Sequence, residues 1–262
     1  MSTIKIRVHR VEKNYTNGNG TAQTALIGIN LDIMEGEFLC LVGPSGCGKT
    51  TLINLIAGFE QPSRGEITID GQVVKDTNPK FITIFQEYSL FPWRTVQENV
   101  EYGLEAKGIP TKEREAIAQK YIQLVGLEKF ANCHPPKLSG GMKQRVAIAR
   151  AMAVDPDVLF MDEPFAALDP ITRMKMQEEV VSLWQEKKRT FIFVTHNIDE
   201  AISLADRIVI MTPPPGRIST ILTVSLKRPR GRTGRDFGLI RDRIYQEFGL
   251  KSGTPQAPDV NV

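Results

Sequence analysis

Phe38-Leu39-Cys40-Leu41-Val42-Gly43-Pro44-Ser45-Gly46-Cys47-Gly48-Lys49-Thr50-Thr51-Leu52 decides the fold. Five apolar residues in a row, Phe38 to Val42, read as a strand buried on both faces, the pattern of a central strand in a parallel sheet. From Lys49 to Gly58, Leu52, Ile53, Leu55 and Ile56 fit one apolar helix face. Between them, Gly43 to Thr50 matches G-x-x-x-x-G-K-[ST]. Glycines let the backbone curl so that successive N–H groups converge on phosphate oxygens. The helix starting near Lys49 adds the positive end of its dipole. Lys49 supplies a point charge for the β- and γ-phosphates, and the Thr50 hydroxyl suits Mg²⁺. The stretch predicts a phosphate cradle built from Gly43, Pro44, Ser45, Gly46, Cys47, Gly48, Lys49, Thr50 and Thr51. Cys47, at a free position of the loop, reads as small filler, although alkylation there would block a nucleotide.

Outward from this stretch the chain alternates strands with helices. Ala25 to Ile33 alternates apolar and polar residues, and Glu35-Gly36-Glu37 turns it into Phe38. Upstream, Val8 to Tyr15 is a short mixed stretch closed by Thr16-Asn17-Gly18-Asn19-Gly20. Short strands are expected at Ile67–Asp70, Phe81–Phe85, Val158–Met161, Phe191–Thr195 and Arg207–Thr212. Val96 to Leu127 turns helical and charged, and Val146 to Ala153 reads as a helix of small residues. The pattern predicts an α/β domain with a largely parallel sheet and an inserted helical block. Past Thr223 the composition changes: Lys227 to Arg243 holds seven basic residues, then Leu239 to Phe248 is helix-like and Lys251 to Val262 reads as disordered. This segment is expected to be an appendage.

Composition narrows the class. The 262 residues are 41% hydrophobic and 24% charged, with 33 Lys and Arg against 30 acids. That suits a soluble globular protein with a sizeable core and no obligate nucleic-acid partner. Cys40, Cys47 and Cys133 form no CxxC pair, which fits reduced thiols in the cytosol. No apolar run approaches the roughly 20 residues of a membrane span, and no secretion signal is expected.

A second acidic site follows from Val158-Leu159-Phe160-Met161-Asp162-Glu163. Buried parallel strands deliver ligands at their C-terminal ends. Asp162 is therefore placed to hold Mg²⁺, directly or through water. Glu163, one residue on and expected to point the other way, can polarise an attacking water as general base.

Leu138-Ser139-Gly140-Gly141-Met142-Lys143-Gln144-Arg145, ahead of a small-residue helix, is a second anion-binding turn. It is redundant in one chain unless it serves another subunit's nucleotide. The segment resembles the signature motif of ATP-binding cassette (ABC) ATPases, and the resemblance covers about residues 4 to 225. It implies a P-loop NTPase core with a mainly parallel sheet, an antiparallel β subdomain and an inserted helical subdomain. The core would take residues 1–86 and 153–225, the helical subdomain 87–152, and the basic tail 226–262.

In that family two cassettes pair head to tail around two ATPs, with Ser139, Gly140 and Gly141 of one facing the phosphate loop of the other. The resemblance also implies an adenine-stacking role for Tyr15, which could instead be surface packing. Gln86 corresponds to the glutamine that senses Mg²⁺ and water. Asp169, in Ala167-Leu168-Asp169, falls in the loop that crosses the dimer interface, and His196 matches the switch histidine that contacts the γ-phosphate. Glu163, His196, Gln86 and Lys49 would then be catalytic, with Thr50, Gln86 and Asp162 toward Mg²⁺.

The stretch from Thr50 to Leu138 is too short for the coiled coil of chromosome-maintenance members, and no fused membrane domain is expected. The stand-alone cassette of a prokaryotic importer remains, peripheral on the cytoplasmic face of the inner membrane. Leu90, Phe91 and Trp93 are the expected anchors for a membrane subunit, unless they pack inside. Phe91-Pro92-Trp93 and Pro213-Pro214-Pro215-Gly216-Arg217-Ile218 are similar to the nitrate/sulfonate/taurine branch, which carries small anions delivered by a solute-binding protein. The other reading of the basic tail is a nucleic-acid or regulatory role.

Overall fold

The computed structural model describes residues 3–16 and 22–249. In chain order the strands are β1 (Ile4–Thr16), β2 (Ala22–Met34), β3 (Phe38–Val42), β4 (Arg64–Ile69), β5 (Gln72–Val73), β6 (Phe81–Ile84), β7 (Val158–Asp162), β8 (Thr190–Val194), β9 (Arg207–Met211) and β10 (Ile218–Thr223). The α-helices are α1 (Lys49–Ala57), α2 (Val96–Ala106), α3 (Thr111–Leu124), α4 (Gly140–Ala153), α5 (Pro170–Lys187), α6 (Ile198–Leu204) and α7 (Arg235–Glu247).

Two sheets organise the chain. The larger has the order β10-β9-β3-β8-β7-β6, with every pairing parallel except β9 with β10. The smaller is antiparallel, β2-β1-β4-β5. Strand β3 is central and buried along its whole length. Its alternate residues serve different cores. Phe38, Cys40 and Val42 join Leu159, Met161, Phe191 and Phe193 on the helical side. Leu39 and Leu41 join Val158, Phe160, Ile192, Val194 and α1 beneath the antiparallel sheet. A sheet covered on both faces needs such continuous apolar strands.

The inserted block is α2 to α4, packed on one another and on the helical-side core. Its entry is fixed by a capping box, in which Thr95 Oγ1 accepts from the Glu98 N–H and Glu98 accepts from the Thr95 N–H. No helix among the described residues is long and apolar enough to cross a membrane.

The segment after Thr223 corrects the expectation of an appendage. Phe237 and Ile244 of α7 are buried in the helical-side core, and α7 packs on α6. Arg230 donates to the carbonyls of Ile202, Ala205, Val224 and Leu226. Arg228 pairs with Asp206 at 2.8 Å, and Arg241 with Asp199 at 2.6 and 3.0 Å. These arginines read as a solvated basic run because their carbonyl and carboxylate partners are distant in sequence. The expected disorder of 251–262 lies outside the described residues.

Candidate active site

The phosphate loop takes the shape its glycines permit. Gly48 has φ 94°, and a Cβ there would sit 2.6 Å from Leu26 Cδ2, so no side chain fits between the loop and β2. Gly216 supports the loop from outside. A Cβ on it would collide with the Cys47 carbonyl oxygen, and its own N–H donates to the Ala25 carbonyl at 2.8 Å. The Pro213–Gly216 segment, legible only as a branch marker, is thus a support for the cradle. Cys47 is fully buried with the core beneath the antiparallel sheet, its Sγ 3.7 Å from Lys49 Nζ, and its side chain acts as filler. Lys49 Nζ donates to the carbonyls of Gly43 at 2.8 Å and Pro44 at 3.0 Å, which holds the ammonium beside the loop.

Strand β7 ends on Asp162, whose Oδ2 accepts from Thr50 Oγ1 at 2.8 Å. The two-residue period of a strand predicts Glu163 on the opposite face. The structure differs, because Glu163 has φ 49°, a left-handed conformation uncommon for a residue with a side chain. That turn brings both carboxylates into one cleft. The Glu163 N–H donates to the Val194 carbonyl at 3.0 Å, and its Oε1 lies 3.1 Å from His196 Nδ1. Burial pushes the Asp162 carboxyl above the usual carboxylate range. The Thr50 hydrogen bond opposes this, the Glu163 charge adds to it, and Lys49 opposes it.

The cleft, about 540 Å³, brings together Lys49, Thr50, Gln86, Asp162, Glu163 and His196. Ser45, Gly46, Gly48 and Thr51 line it as well, with Ala25 and Val194, two small apolar positions that carry no motif.

Other expected residues stand elsewhere. The Tyr15 hydroxyl donates to Glu60 at 2.7 Å, beside a ring 37% exposed. Burial raises its phenol pKa, the Glu60 hydrogen bond adds to that, and a hydrogen bond with Thr51 works against it. Ser139 caps α4, accepting from the Met142 N–H at 3.3 Å. Gly140 faces the Tyr88 hydroxyl and Gly141 the Ala167 carbonyl, so the signature turn borders other loops than the cradle. Asp169 caps α5 by accepting from the N–H groups of Ile171 and Thr172. Leu90 and Phe91 are half-buried, with Phe91 4.5 Å from the Tyr102 ring, and only Trp93 stands out, 72% exposed. Two of the three expected anchors therefore contribute to packing.

The donor set suits Mg²⁺ and a triphosphate. A hydroxyl, a carboxylate and an amide oxygen are hard ligands, and Mg²⁺ is usually completed by phosphate and water oxygens. The start of α1, the Lys49 ammonium and the paired Glu163 and His196 all border the cleft, an arrangement suited to phosphoryl transfer to water.

Comparison with known proteins agrees. Residues 26–166 match the ABC transporter family. The aliphatic sulfonates import ATP-binding protein SsuB of Bacillus thuringiensis is 43% identical over 245 residues, 94% of this chain and 96% of that one. The bicarbonate transport ATP-binding protein CmpC of Synechococcus elongatus is 47% identical over 233 residues, 88% of this chain and 35% of that longer protein. A bacterial ABC transporter cassette solved as a dimer superposes with a TM-score of 0.78 at 35% identity, covering 85% of this chain and all of that one. A post-hydrolysis state of that cassette, bound to ADP and Pi, gives 0.77 at 34% identity, with the same coverage. This chain belongs to the ABC transporter family, as an ATP-binding, ATP-hydrolysing cassette of the nitrate/sulfonate importer branch.

Proposed function

We propose that this chain drives uptake of a small anion, nitrate-, sulfonate- or taurine-like, as the peripheral ATPase of an importer on the cytoplasmic face of the membrane. Two cassettes, identical or paralogous, would pair head to tail. Separate membrane subunits would carry the solute, delivered by a solute-binding protein. The observation that supports this reading is the separation of two phosphate-binding turns: one lines the cleft with the paired acids, and the other lies outside it.

Within that reading the loop, Lys49, Thr50 and Thr51 hold the triphosphate, with Tyr15 against the adenine. Glu163 takes the proton of the attacking water, supported by His196 as the γ-phosphate contact, while Gln86 senses Mg²⁺ and that water. Ser139, Gly140 and Gly141 of the second cassette donate from the far side, next to its Asp169 loop. Thr50, Asp162 and Gln86 would hold Mg²⁺, which neutralises charge on the phosphate oxygens. Little covalent work is left, because positioning and preorganised charge supply most of the acceleration.

The Trp93 turn is the proposed seat of the membrane subunit. Buried Asn99 holds it rigid, accepting from the Phe91 N–H at 2.9 Å and donating to the carbonyls of Phe91, Arg94 and Thr95. Exposed aromatics on a fixed turn are typical interface anchors. The rival nucleic-acid role loses its footing, since Arg228, Arg230 and Arg241 are engaged inside the fold.

The test is reconstitution with the membrane and solute-binding subunits in vesicles, screening small anions. Stimulated hydrolysis by one such anion is expected, and Trp93→Ala should abolish that stimulation while keeping the basal rate. Hydrolysis indifferent to every anion and to the membrane subunits would overturn the reading.

A further inference from the structure

Behind the loop that carries His196 lies a polar cluster with no part in the chemistry above. Gln177, Thr195 and Glu200 are only 4%, 2% and 5% exposed. Glu200 Oε2 accepts from Thr195 Oγ1 at 2.7 Å, and its Oε1 accepts from Gln177 Nε2 at 3.1 Å. Thr195 Oγ1 also accepts from the Asn197 N–H at 2.9 Å, and Asn197 Oδ1 accepts from the Glu200 N–H at 3.2 Å. Thr195 on one side of His196 is thus tied to the Glu200 carboxylate, and Asn197 on the other side to the Thr195 hydroxyl and the Glu200 N–H, while the His196 side chain itself is 65% exposed.

Two further connections leave the cluster. Arg173 Nε lies 3.7 Å from Glu200 Oε1, and Arg173 Nη2 donates to the Leu168 carbonyl at 2.9 Å, one residue before Asp169. On the other side, Arg232 of the C-terminal segment donates through Nη2 to Gln177 Oε1. Burial raises the Glu200 carboxyl pKa, with Thr195, Arg173, His196 and Arg232 drawing it back. A buried carboxylate is costly, and an apolar side chain of similar volume often fills such a space with equal or greater stability. The groups that Glu200 engages belong to the His196 loop and to α5, whose Arg173 reaches back to the Leu168 carbonyl next to Asp169, and its link to Arg232 runs through Gln177.

We infer that Glu200 is a positioning residue for ATP hydrolysis: it fixes the His196 loop against the Asp169 loop, and the C-terminal segment steadies it through Arg232 and Gln177. The inference rests on the reading of His196 as the γ-phosphate contact, and it makes residues 226–249 a working part of the engine.

Single-turnover and steady-state ATP hydrolysis by the full-length chain test it. Glu200→Gln should lower kcat by about 10- to 100-fold, the scale of a small misplacement of reacting groups, with KM for ATP nearly unchanged. Arg232→Ala, at a half-buried site, should lower kcat by about three- to tenfold, and Arg232→Lys should recover part of it. Added to His196→Ala, Glu200→Gln should cause no further loss, because both remove one function. Wild-type kcat in Glu200→Gln and Arg232→Ala beside a crippled His196→Ala overturns the inference alone, as do fully additive losses. Wild-type activity of His196→Ala overturns the underlying reading of the site.

Discussion

Helices α1 and α4 begin alike and end up in different surroundings. Each starts on glycine, α1 after Gly48 and α4 at Gly140, and neither has an acid at its cap or in its first turn. The other five α-helices all do: Glu98, Glu113, Asp169, Asp199 with Glu200, and Asp236. Acids there offset the helix dipole, and their lack keeps two positive ends free for an anion. Around the start of α1 stand Thr50, Gln86, Asp162, Glu163 and His196. Around the start of α4 stand the Tyr88 hydroxyl and the Ala167 carbonyl. One end has all the chemistry, and the other has only the donors. Such a division makes sense if the second end covers the first in another copy.

Substitutions around the two helix starts test that contrast. The largest effect is expected from Glu163→Gln, which keeps the shape but not the base. Steady-state phosphate release should fall about 10²- to 10⁴-fold with ATP still bound, and unimpaired turnover would remove the acid from the chemistry. Lys49→Ala deletes a charged hydrogen bond worth roughly 1.5–3 kcal/mol, so ATP affinity measured by calorimetry should weaken by about 10- to 100-fold. Ser139→Ala should leave ATP affinity of the single chain intact yet cut kcat by about tenfold, the worth of one donor hydrogen bond to a charged group. If affinity fell as far as with Lys49→Ala, the two helix starts would not differ as described.

The smallest effect concerns stability. Folding raises the Asp162 pKa, so the protonated form favours the folded state and this contribution is lost as pH climbs through that raised pKa. Asp162→Asn should therefore melt about 2–4 °C higher than the parent near pH 7.5 without nucleotide, the gap closing in acid. A gap independent of pH would mean that the carboxylate charge is not its source.

The cradle could be read from the chain because its parts are contiguous: strand, glycines, lysine and helix within Phe38 to Ala57. Asp162 was equally visible at a strand end. The direction of Glu163 was not, since strand periodicity cannot foresee a single left-handed residue. Val8 to Tyr15 reads only as a mixed stretch because bulges between Val8 and Asn14 interrupt its alternation, although strand β1 runs from Ile4 to Thr16. Helix α5 went unrecognised, its buried Met176, Gln177, Val180, Leu183 and Trp184 including a polar residue where an apolar one is expected.

The C-terminal arginines were legible as charge alone. Arg230 ends up among four backbone carbonyls, where burial, with the Arg228 charge next, lowers its pKa to about 10. Those carbonyls come from α6, the turn after it and the chain beyond β10, brought together only by the folded core.

The most direct measurement of the central claim is the mass in solution of Glu163→Gln at saturating ATP and Mg²⁺, by light scattering. A doubling on adding ATP, abolished when Ser139→Arg is introduced as well, is the predicted result. A particle that stays single under those conditions, while the parent chain hydrolyses ATP at its full rate as a monomer, would contradict the account.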